Sequence, residues 1–321
     1  MNDIPAPGTP GAARPEHPHG PPSVCVVVPT HGRPEEVRTA IRSILEQDYD
    51  GPVEVLVVHD REEPDEALEQ AGARPVRVLR NERTPGLAGG RNTGVLATGA
   101  ELVAFCDDDD RWTPTKLRRQ VDALAAEPEA HLVTCSILVE YDGRTTARTA
   151  GVDRVTHAML VRSRMAMLHS STFLFRRASL VGPLGLIDED IPGSQNEDWD
   201  ILLRAAELHP VLHVDEPLVH VVWGRSSFFS RRWDTKIASS VWMLDRHPQV
   251  ADDRRAAARL MGQIAFAHAC SGHRREAWRW AAQVARRDPL QPRWVISGAV
   301  ALWPPAGEHV LGALHHVGRG L

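Results

Sequence analysis

Residues 24–47 read VCVVVPTHGRPEEVRTAIRSILEQ, and the order of their patterns decides the fold. Val24 to Val28 is an unbroken apolar run, mostly β-branched and closed by Pro29. Without polar alternation it predicts a strand buried on both faces, as in a parallel sheet. Pro34 then opens a segment in which Val37, Ala40, Ile41, Ile44 and Leu45 recur at i, i+3, i+4, i+7 and i+8. That spacing predicts an amphipathic helix with proline in its first turn. Further strands are expected at Val53 to Val58, Val76 to Leu79 and Leu102 to Cys106, with a short helix at Glu62 to Ala71. Strands alternating with helices imply βαβ units in a doubly wound sheet.

Beyond Asp110 the regularity drops. A helix is expected at Pro114 to Ala126, a strand at Leu132 to Val139, a loop-rich stretch at Tyr141 to Met167 and a strand at Ser171 to Arg176. A helix follows at Glu197 to Glu207, then apolar pieces at Val211 to Val214 and Leu218 to Trp223. From Ala251 the composition turns to Ala, Arg and Leu at helical spacing. Two helices, Asp253 to Cys270 and Arg274 to Arg287, flank the helix-stop signal Ser271-Gly272-His273.

The chain has 321 residues, which predicts about two domains, or one large domain with an appendage. Lys plus Arg is 37 against 42 Asp plus Glu, a formal charge of −5, which argues against a nucleic-acid binder or a polybasic anchor. The longest apolar run, Trp294 to Trp303, is about ten residues against the roughly 20 of a membrane-spanning helix. Met1 to Pro22 holds seven prolines and three glycines with no basic or apolar signal region, and reads as a disordered leader. The four cysteines, Cys25, Cys106, Cys135 and Cys270, are far apart, three of them inside apolar runs. They read as buried reduced thiols in a cytoplasmic protein, not as a disulfide framework or zinc site.

In an open parallel sheet, ligands bind at the carboxyl ends of the strands. The first strand runs into Pro29-Thr30-His31-Gly32-Arg33, the second into His59-Asp60, the third into Asn81 and the fourth into Asp107-Asp108-Asp109-Asp110. Four adjacent carboxylates raise one another's pKa unless a cation compensates, and Mg²⁺ or Mn²⁺ commonly bridges such groups to a diphosphate. The segment Thr84 to Gly94, TPGLAGGRNTG, precedes a helical piece, so its N–H groups could face an anion, with Arg91 and Asn92 adding a cation and an amide. Glu197-Asp198-Trp199-Asp200 opens a helix after a flexible loop and offers the best placed remaining carboxylates for a base. His169, His213 and His220 lie beside apolar segments and read as structural.

These pieces together resemble the inverting glycosyltransferases of family 2, which have a GT-A fold. The matching segments are VCVVVPTHGRPEEVRTAIRSILEQ, VEVLVVHD, LAGGRNTG, LVAFCDDDDRWTP and NEDWDILLRAA, spanning Val24 to Arg225. The resemblance implies a Rossmann-like mixed α/β sheet flanked by helices, with a C-terminal α-helical extension. It further implies that Pro29, Thr30 and Arg33 line the nucleotide base and ribose, and that Arg91 and Asn92 contact the donor. Asp60, Asp107 and Asp108 are donor-side positions. Asp107 and Asp109 match the D-x-D pair, with Asp109 and Asp110 holding Mg²⁺ or Mn²⁺, and Asp198, beside Glu197, matches the catalytic base. Two positions depart from the family pattern. The second strand ends in His59-Asp60 where two aspartates are usual and the first can bind uracil. At Leu218 to Ser227 the chain reads LVHVVWGRSS in place of a Tyr-Arg-x-His-like lid, with His220, or Arg225 with Ser226, as candidates to serve instead.

The expected activity is metal-dependent transfer of a sugar, with inversion, from a nucleotide diphosphate sugar to a hydroxyl acceptor. The domains expected are a leader (1–22), a glycosyltransferase domain (23–230) and a helical extension (231–321). The acceptor pocket would be built from Tyr141 to Ser170 and Ser226 to Arg232. A nucleotidyltransferase would need a glycine-rich basic loop after the first strand, where this chain has Gly32 alone. A non-catalytic nucleotide-sugar-binding or scaffold protein is the other alternative. The C-terminal helices are expected to complete the catalytic core, or else to contact a partner subunit or the inner face of the membrane.

Overall fold

A computed structural model describes residues 20–223 and 232–303. The expected leader (1–22) lies almost entirely outside them, as do Arg225 and 226–231 of the proposed lid and acceptor loop. The chain opens with β1 (Val24–Thr30), α1 (Pro34–Leu45), β2 (Val53–His59), β3 (Val76–Arg80), α2 (Leu87–Ala97) and β4 (Leu102–Phe105). It continues through β5 (Arg111–Trp112), α3 (Lys116–Ala126), β6 (Leu132–Tyr141), β7 (Arg144–Arg148), β8 (Arg154–Val155), α4 (His157–Arg162), β9 (Leu174–Arg176) and α5 (Arg177–Leu180). After α6 (Glu197–Leu208) and β10 (Val211–Val222) come α7 (Trp233–Arg246), α8 (Pro248–Asp252), α9 (Arg254–Cys270), α10 (Arg274–Arg287) and α11 (Arg293–Leu302).

The strands form one mixed sheet in the order β3-β2-β1-β4-β9-β6-β10-β5, with β7 on β6 and β8 on β10. β3, β2, β1 and β4 are parallel; β9 runs antiparallel between β4 and β6. Side chains alternate across β1 as the pleat requires. Val24, Val26 and Val28 pack with Val37, Ile41 and Ile44 of α1 and Leu117 and Val121 of α3. Cys25 and Val27 face Ala88 and Val95 of α2 and a core that reaches Phe105, Phe175 and Trp199. Burial on both faces is what the unbroken apolar run requires.

Several elements differ from expectation. The helix at Glu62 to Ala71 is reduced to one 3₁₀ turn, Glu66–Leu68. Pro64 disfavours helical backbone before it, and Gln70 exchanges both backbone hydrogen bonds with Val76 instead of continuing a helix. Ser171 to Arg176 begins as a 3₁₀ turn, Ser170–Thr172, and only Leu174–Arg176 is strand. The loop-rich stretch contains β7, β8 and α4. The apolar pieces around Pro217 are one strand, β10, with register shifts at that proline.

The glycine-rich segment does not merely precede a helix; it forms α2. A Cβ at Gly90 would lie 3.3 Å from Pro29 Cβ, and one at Gly94 would lie 2.6 Å from Val27 Cγ2. The glycines let α2 lie directly on β1, which brings Arg91 under the strand ends. Gly94→Ala is therefore expected to destabilise the protein by about 1–3 kcal/mol through overpacking, despite alanine's better helix propensity. Urea denaturation checks this, and an unchanged midpoint would mean that α2 can lift away without loss.

The C-terminal helices are present; α7 to α9 pack on the sheet domain, and α10 and α11 pack on α9. Ala256 and Leu260 of α9 share a core with Trp199, Leu160, Met243 and Val250. Helix α11 leaves Val295, Leu302 and the following Trp303 exposed. No helix among the described residues is long and apolar enough to cross a membrane.

Candidate active site

The Asp107-to-Asp110 turn projects from the end of β4, closed by Asp110 N–H donating to Asp107 O at 3.1 Å. The four carboxylates are not equivalent in their contacts. Asp108 accepts from Thr30 Oγ1 at 2.9 Å and from Arg33 Nη1 at 3.0 Å, and the same Arg33 atom reaches Asp109 Oδ2 at 2.5 Å. Thr30 and Arg33, expected near the nucleotide, thus meet the turn across the end of β1, beside Pro29. Asp109 stays partly exposed, and burial together with the charges of Asp110 and Asp107 pushes its carboxyl up to about 6.

Arg91 is 1% exposed on α2 and joins the two acidic motifs. Its Nη2 donates to Asp107 Oδ1 at 2.7 Å, its Nη1 donates to Glu197 Oε1, and the guanidinium lies 5.5 Å from the Phe105 ring centroid. Burial opposes ionisation of Asp107, but Arg91, His169 and the Ser170 hydroxyl outweigh it and hold this carboxyl below its ordinary value. At Glu197 burial wins: with Asp198 and Asp107 adding to it, the carboxyl is pushed up to about 7 despite Arg91.

Asp107, Asp110 and His169 bring one ligand atom each within 4.8 Å of one another. His169 Nδ1 is 3.2 Å from Asp110 Oδ2, and Asp110 also accepts from Ser171 Oγ at 2.5 Å. Burial alone would lower the imidazole pKa; Asp110 and Asp107 override it and raise it to about 9. The gathered group therefore differs from the expected pair Asp109 and Asp110. Asp109 turns to Arg33, and His169, read from sequence as structural, takes a place beside Asp110. His169 and Ser171 arrive because β9 pairs antiparallel with β4, which sets the preceding turn against the end of β4. This long-range pairing has no local sequence signal.

Asp198 lies in the first turn of α6, whose entry is fixed by Asn196 in the left-handed region at φ 71°. Its Oδ1 accepts the Trp199 N–H at 2.8 Å, and its Oδ2 accepts from Arg164 Nη2 at 2.5 Å. The Asp198 charge raises the Arg164 pKa.

Other expected contacts are engaged within the protein. Asn92 is bonded on both sides of its amide: Nδ2 donates to Ile187 O at 2.8 Å and Glu189 Oε1 at 2.6 Å, and Oδ1 accepts from Ile187 N. Two N–H groups at the start of α2, expected to face an anion, are taken by Asp60 Oδ1 at Gly86 and Ser194 Oγ at Ala88. Asp60 also accepts from Asn81 and Arg61. His59 Nε2 accepts from Asp65 N at 3.3 Å, which assigns its proton to Nδ1, 2.9 Å from Glu62 Oε1. His220 Nδ1 contacts Glu140 Oε1 at 2.8 Å.

Against this geometry, residues 25–181 match the model of glycosyl transferase family 2. The chain belongs to that family. Two curated relatives are an uncharacterized glycosyltransferase of Haemophilus influenzae, 30% identical over 108 residues, and the UDP-Glc:alpha-D-GlcNAc-diphosphoundecaprenol beta-1,3-glucosyltransferase WfgD of Escherichia coli, 31% identical over 104. These stretches cover 34% and 32% of the chain, which spans 36% and 40% of the relatives' own lengths. The fold matches S. aureus TarS 1-349 in complex with UDP-GlcNAc, with a TM-score of 0.60 at 16% identity over 92% of both chains. It also matches the mannosyltransferase PcManGT of Pyrobaculum calidifontis in complex with GDP-Man and Mn²⁺, with a TM-score of 0.54 at 19% identity over 92% of this chain and 91% of that one. The architecture is thus the GT-A arrangement of a family 2 glycosyltransferase, carrying additional C-terminal helices.

Proposed function

We propose that this glycosyltransferase moves a hexosyl group from a nucleotide diphosphate sugar to a hydroxyl acceptor with inversion at the anomeric carbon. The observation that carries the reading is the Arg91 bridge, which ties the strand-end Asp107 turn to the Glu197-Asp198 pair in one crevice. Thr30 and Arg33 hold that turn from the β1 side, where the nucleotide is expected. Asp198 accepts the acceptor's proton as its oxygen attacks, on the face opposite the departing diphosphate. Glu197 keeps Arg91 in place. The unequal contacts along the turn divide the work: Asp108 orients Arg33, and Asp107 and Asp110 remain together as oxygen donors.

The donor chemistry of Asp107, Asp110 and His169 fits a divalent cation, two carboxylates supplying hard oxygen ligands and one imidazole favouring Mn²⁺ over Mg²⁺. Such an ion supplies positive charge to the leaving diphosphate. Mn²⁺ in the PcManGT complex supports this reading. The nucleotide complexes of the neighbours, with UDP-GlcNAc and GDP-Man, support a nucleotide-sugar donor, and His59 leaves its base open. The exposed Val295, Leu302 and Trp303 support a contact surface on the extension, which we take to begin near residue 231 and to bring a cytoplasmic enzyme to the inner membrane face.

A hydrolysis screen across nucleotide sugars with Mn²⁺ or Mg²⁺ tests the reading. Turnover is expected with at least one donor, to vanish in excess chelator and to return with added metal. Asp110→Asn is expected to abolish it while the protein stays folded. Full turnover in chelator would remove the metal from the reaction, and no turnover with any donor would remove the transferase reading.

A further inference from the structure

Three arginines from three separate segments converge beside Trp199, the residue that follows the proposed base. Arg164 comes from the segment after α4, Arg259 from α9 and Arg293 from the start of α11. The Arg259 guanidinium lies over the Trp199 ring, 5.4 Å from its centroid. Trp199 is itself fixed, its indole N–H donating to Leu160 O at 3.0 Å. Arg293 lays its stem against α9 at Gly262, where a Cβ would lie 2.7 Å from Arg293 Cβ. Gly262 is three residues on from Arg259, so Arg293 meets the face of α9 that carries Arg259.

The positive charge of this cluster is poorly compensated. Arg259 Nε and Nη2 and Arg293 Nε are buried without a hydrogen-bond partner among the described residues. The Arg293 guanidinium makes a long 3.4 Å bond to Gln291 Oε1. Arg164 has Asp198, but neither Arg259 nor Arg293 makes an ion pair among the described residues. Burial, then the charges of Arg293 and Arg164, lower the Arg259 pKa to about 10. Asp253 opposes this, but its carboxylate caps the N–H groups of Arg255 and Ala256. Stacking on Trp199 would account for one cation. It does not account for a second one with an orphaned donor at its side, since unpaired buried donors and repelling charges both destabilise a fold.

We propose that Arg164, Arg259 and Arg293 form a binding site for a phosphoryl group carried by the acceptor. The inference rests on the reading of Asp198 as the base, because it is the nearness of the cluster to Asp198 that makes its ligand the acceptor. Guanidinium forks match phosphate oxygens with paired N–H donors, and a dianion suits a multiply charged site better than a single carboxylate. An acceptor anchored there by its phosphate brings a neighbouring hydroxyl to the Asp198 carboxylate. It also draws Arg164 partly off that carboxylate, which leaves Asp198 freer to take a proton. In this arrangement the C-terminal helices contribute two of the three ligands, and acceptor choice belongs to the extension as much as to the sheet domain.

Inorganic phosphate is the probe, added to the full chain in chelator and compared with chloride at matched ionic strength. The wild-type Tm is expected to rise by about 3 °C at a tenfold excess over Kd, and chloride to leave it unchanged. Arg259→Met is expected to raise Tm in phosphate-free buffer, because a repelled cation is gone, and to lose the response to phosphate. Arg275→Gln, on the exposed face of α10, is expected to keep that response. If Arg259→Met keeps the phosphate response, or lowers Tm in its absence, Arg259 is a packing residue and the site does not exist. Glycerol 3-phosphate and vesicles containing phosphatidic acid then separate a soluble from a lipid-borne phosphate. Protection by either supports the site, and by neither overturns it. Wild-type donor hydrolysis reads the transferase assignment separately: hydrolysis without a phosphate response sinks this site alone, and a phosphate response without hydrolysis sinks only the assignment.

Discussion

Asp198→Asn is expected to reduce turnover by about 10²- to 10⁴-fold, the usual worth of a positioned general base, with donor affinity close to wild type. The local structure gives the substitution little reason to disturb the fold. An asparagine oxygen can still accept the Trp199 N–H that Asp198 Oδ1 accepts at 2.8 Å. What is lost is the charge facing Arg164, and the Arg164 side chain is 45% exposed, so water can solvate it once the pair is broken. Glu197→Gln should behave differently, since Glu197 is 6% exposed and bonded to Arg91. Its loss should loosen Arg91 and Asp107 and weaken donor binding before it slows chemistry. Single-turnover rates at saturating donor, with donor affinity measured by calorimetry, separate the two. If Asp198→Asn turns over at nearly the wild-type rate and Glu197→Gln does not, the roles of the two carboxylates are exchanged.

The parallel half of the molecule was legible because its signals are local. The run at Val24 to Val28 and the spacing of Val37, Ala40, Ile41 and Ile44 each report a buried face directly, and β1 and α1 bury those residues. The strand ends that carry Thr30, Asp60 and Asp107 follow from the same runs. The antiparallel half was less legible. β9 has three residues, and the turn before it carries His169, Ser170 and Ser171 to the acidic turn only because β9 inserts between β4 and β6. No local pattern states that insertion. Asn92 parts from Arg91 for a related reason: sequence locates both on the glycine-rich segment, but adjacent residues on a helix point about 100° apart. Arg91 consequently meets Asp107 while Asn92 meets the backbone of Ile187. The arginine cluster at Trp199 was equally invisible, since Arg164, Arg259 and Arg293 come together only where α9 packs against the sheet domain and α11 packs against α9.

Arg91→Met is expected to lower stability at neutral pH by about 3–5 kcal/mol, the usual consequence of removing one member of a buried ion pair while its partners remain. Methionine replaces much of the stem and keeps the contact with Phe105, so lost packing is a minor part of the loss. The larger part is electrostatic, because Asp107 and Glu197 each lose the cation that burial obliges them to have. The sign of the pH dependence follows. Burial already pushes Glu197 up to about 7 with Arg91 present, and without it the carboxyl must rise further. A carboxyl with a raised folded pKa favours the folded state when protonated, so the destabilisation should shrink as pH falls from 8 toward 5. Arg91→Met combined with Glu197→Gln should recover part of the loss at neutral pH and show a weaker pH dependence than Arg91→Met alone. Urea denaturation of the three proteins at pH 5, 7 and 8 measures all of this. A loss below about 1 kcal/mol that does not change with pH would mean that water or a shifted neighbour compensates the carboxylates, and that Arg91 is not the link holding the Asp107 turn to the Glu197-Asp198 pair.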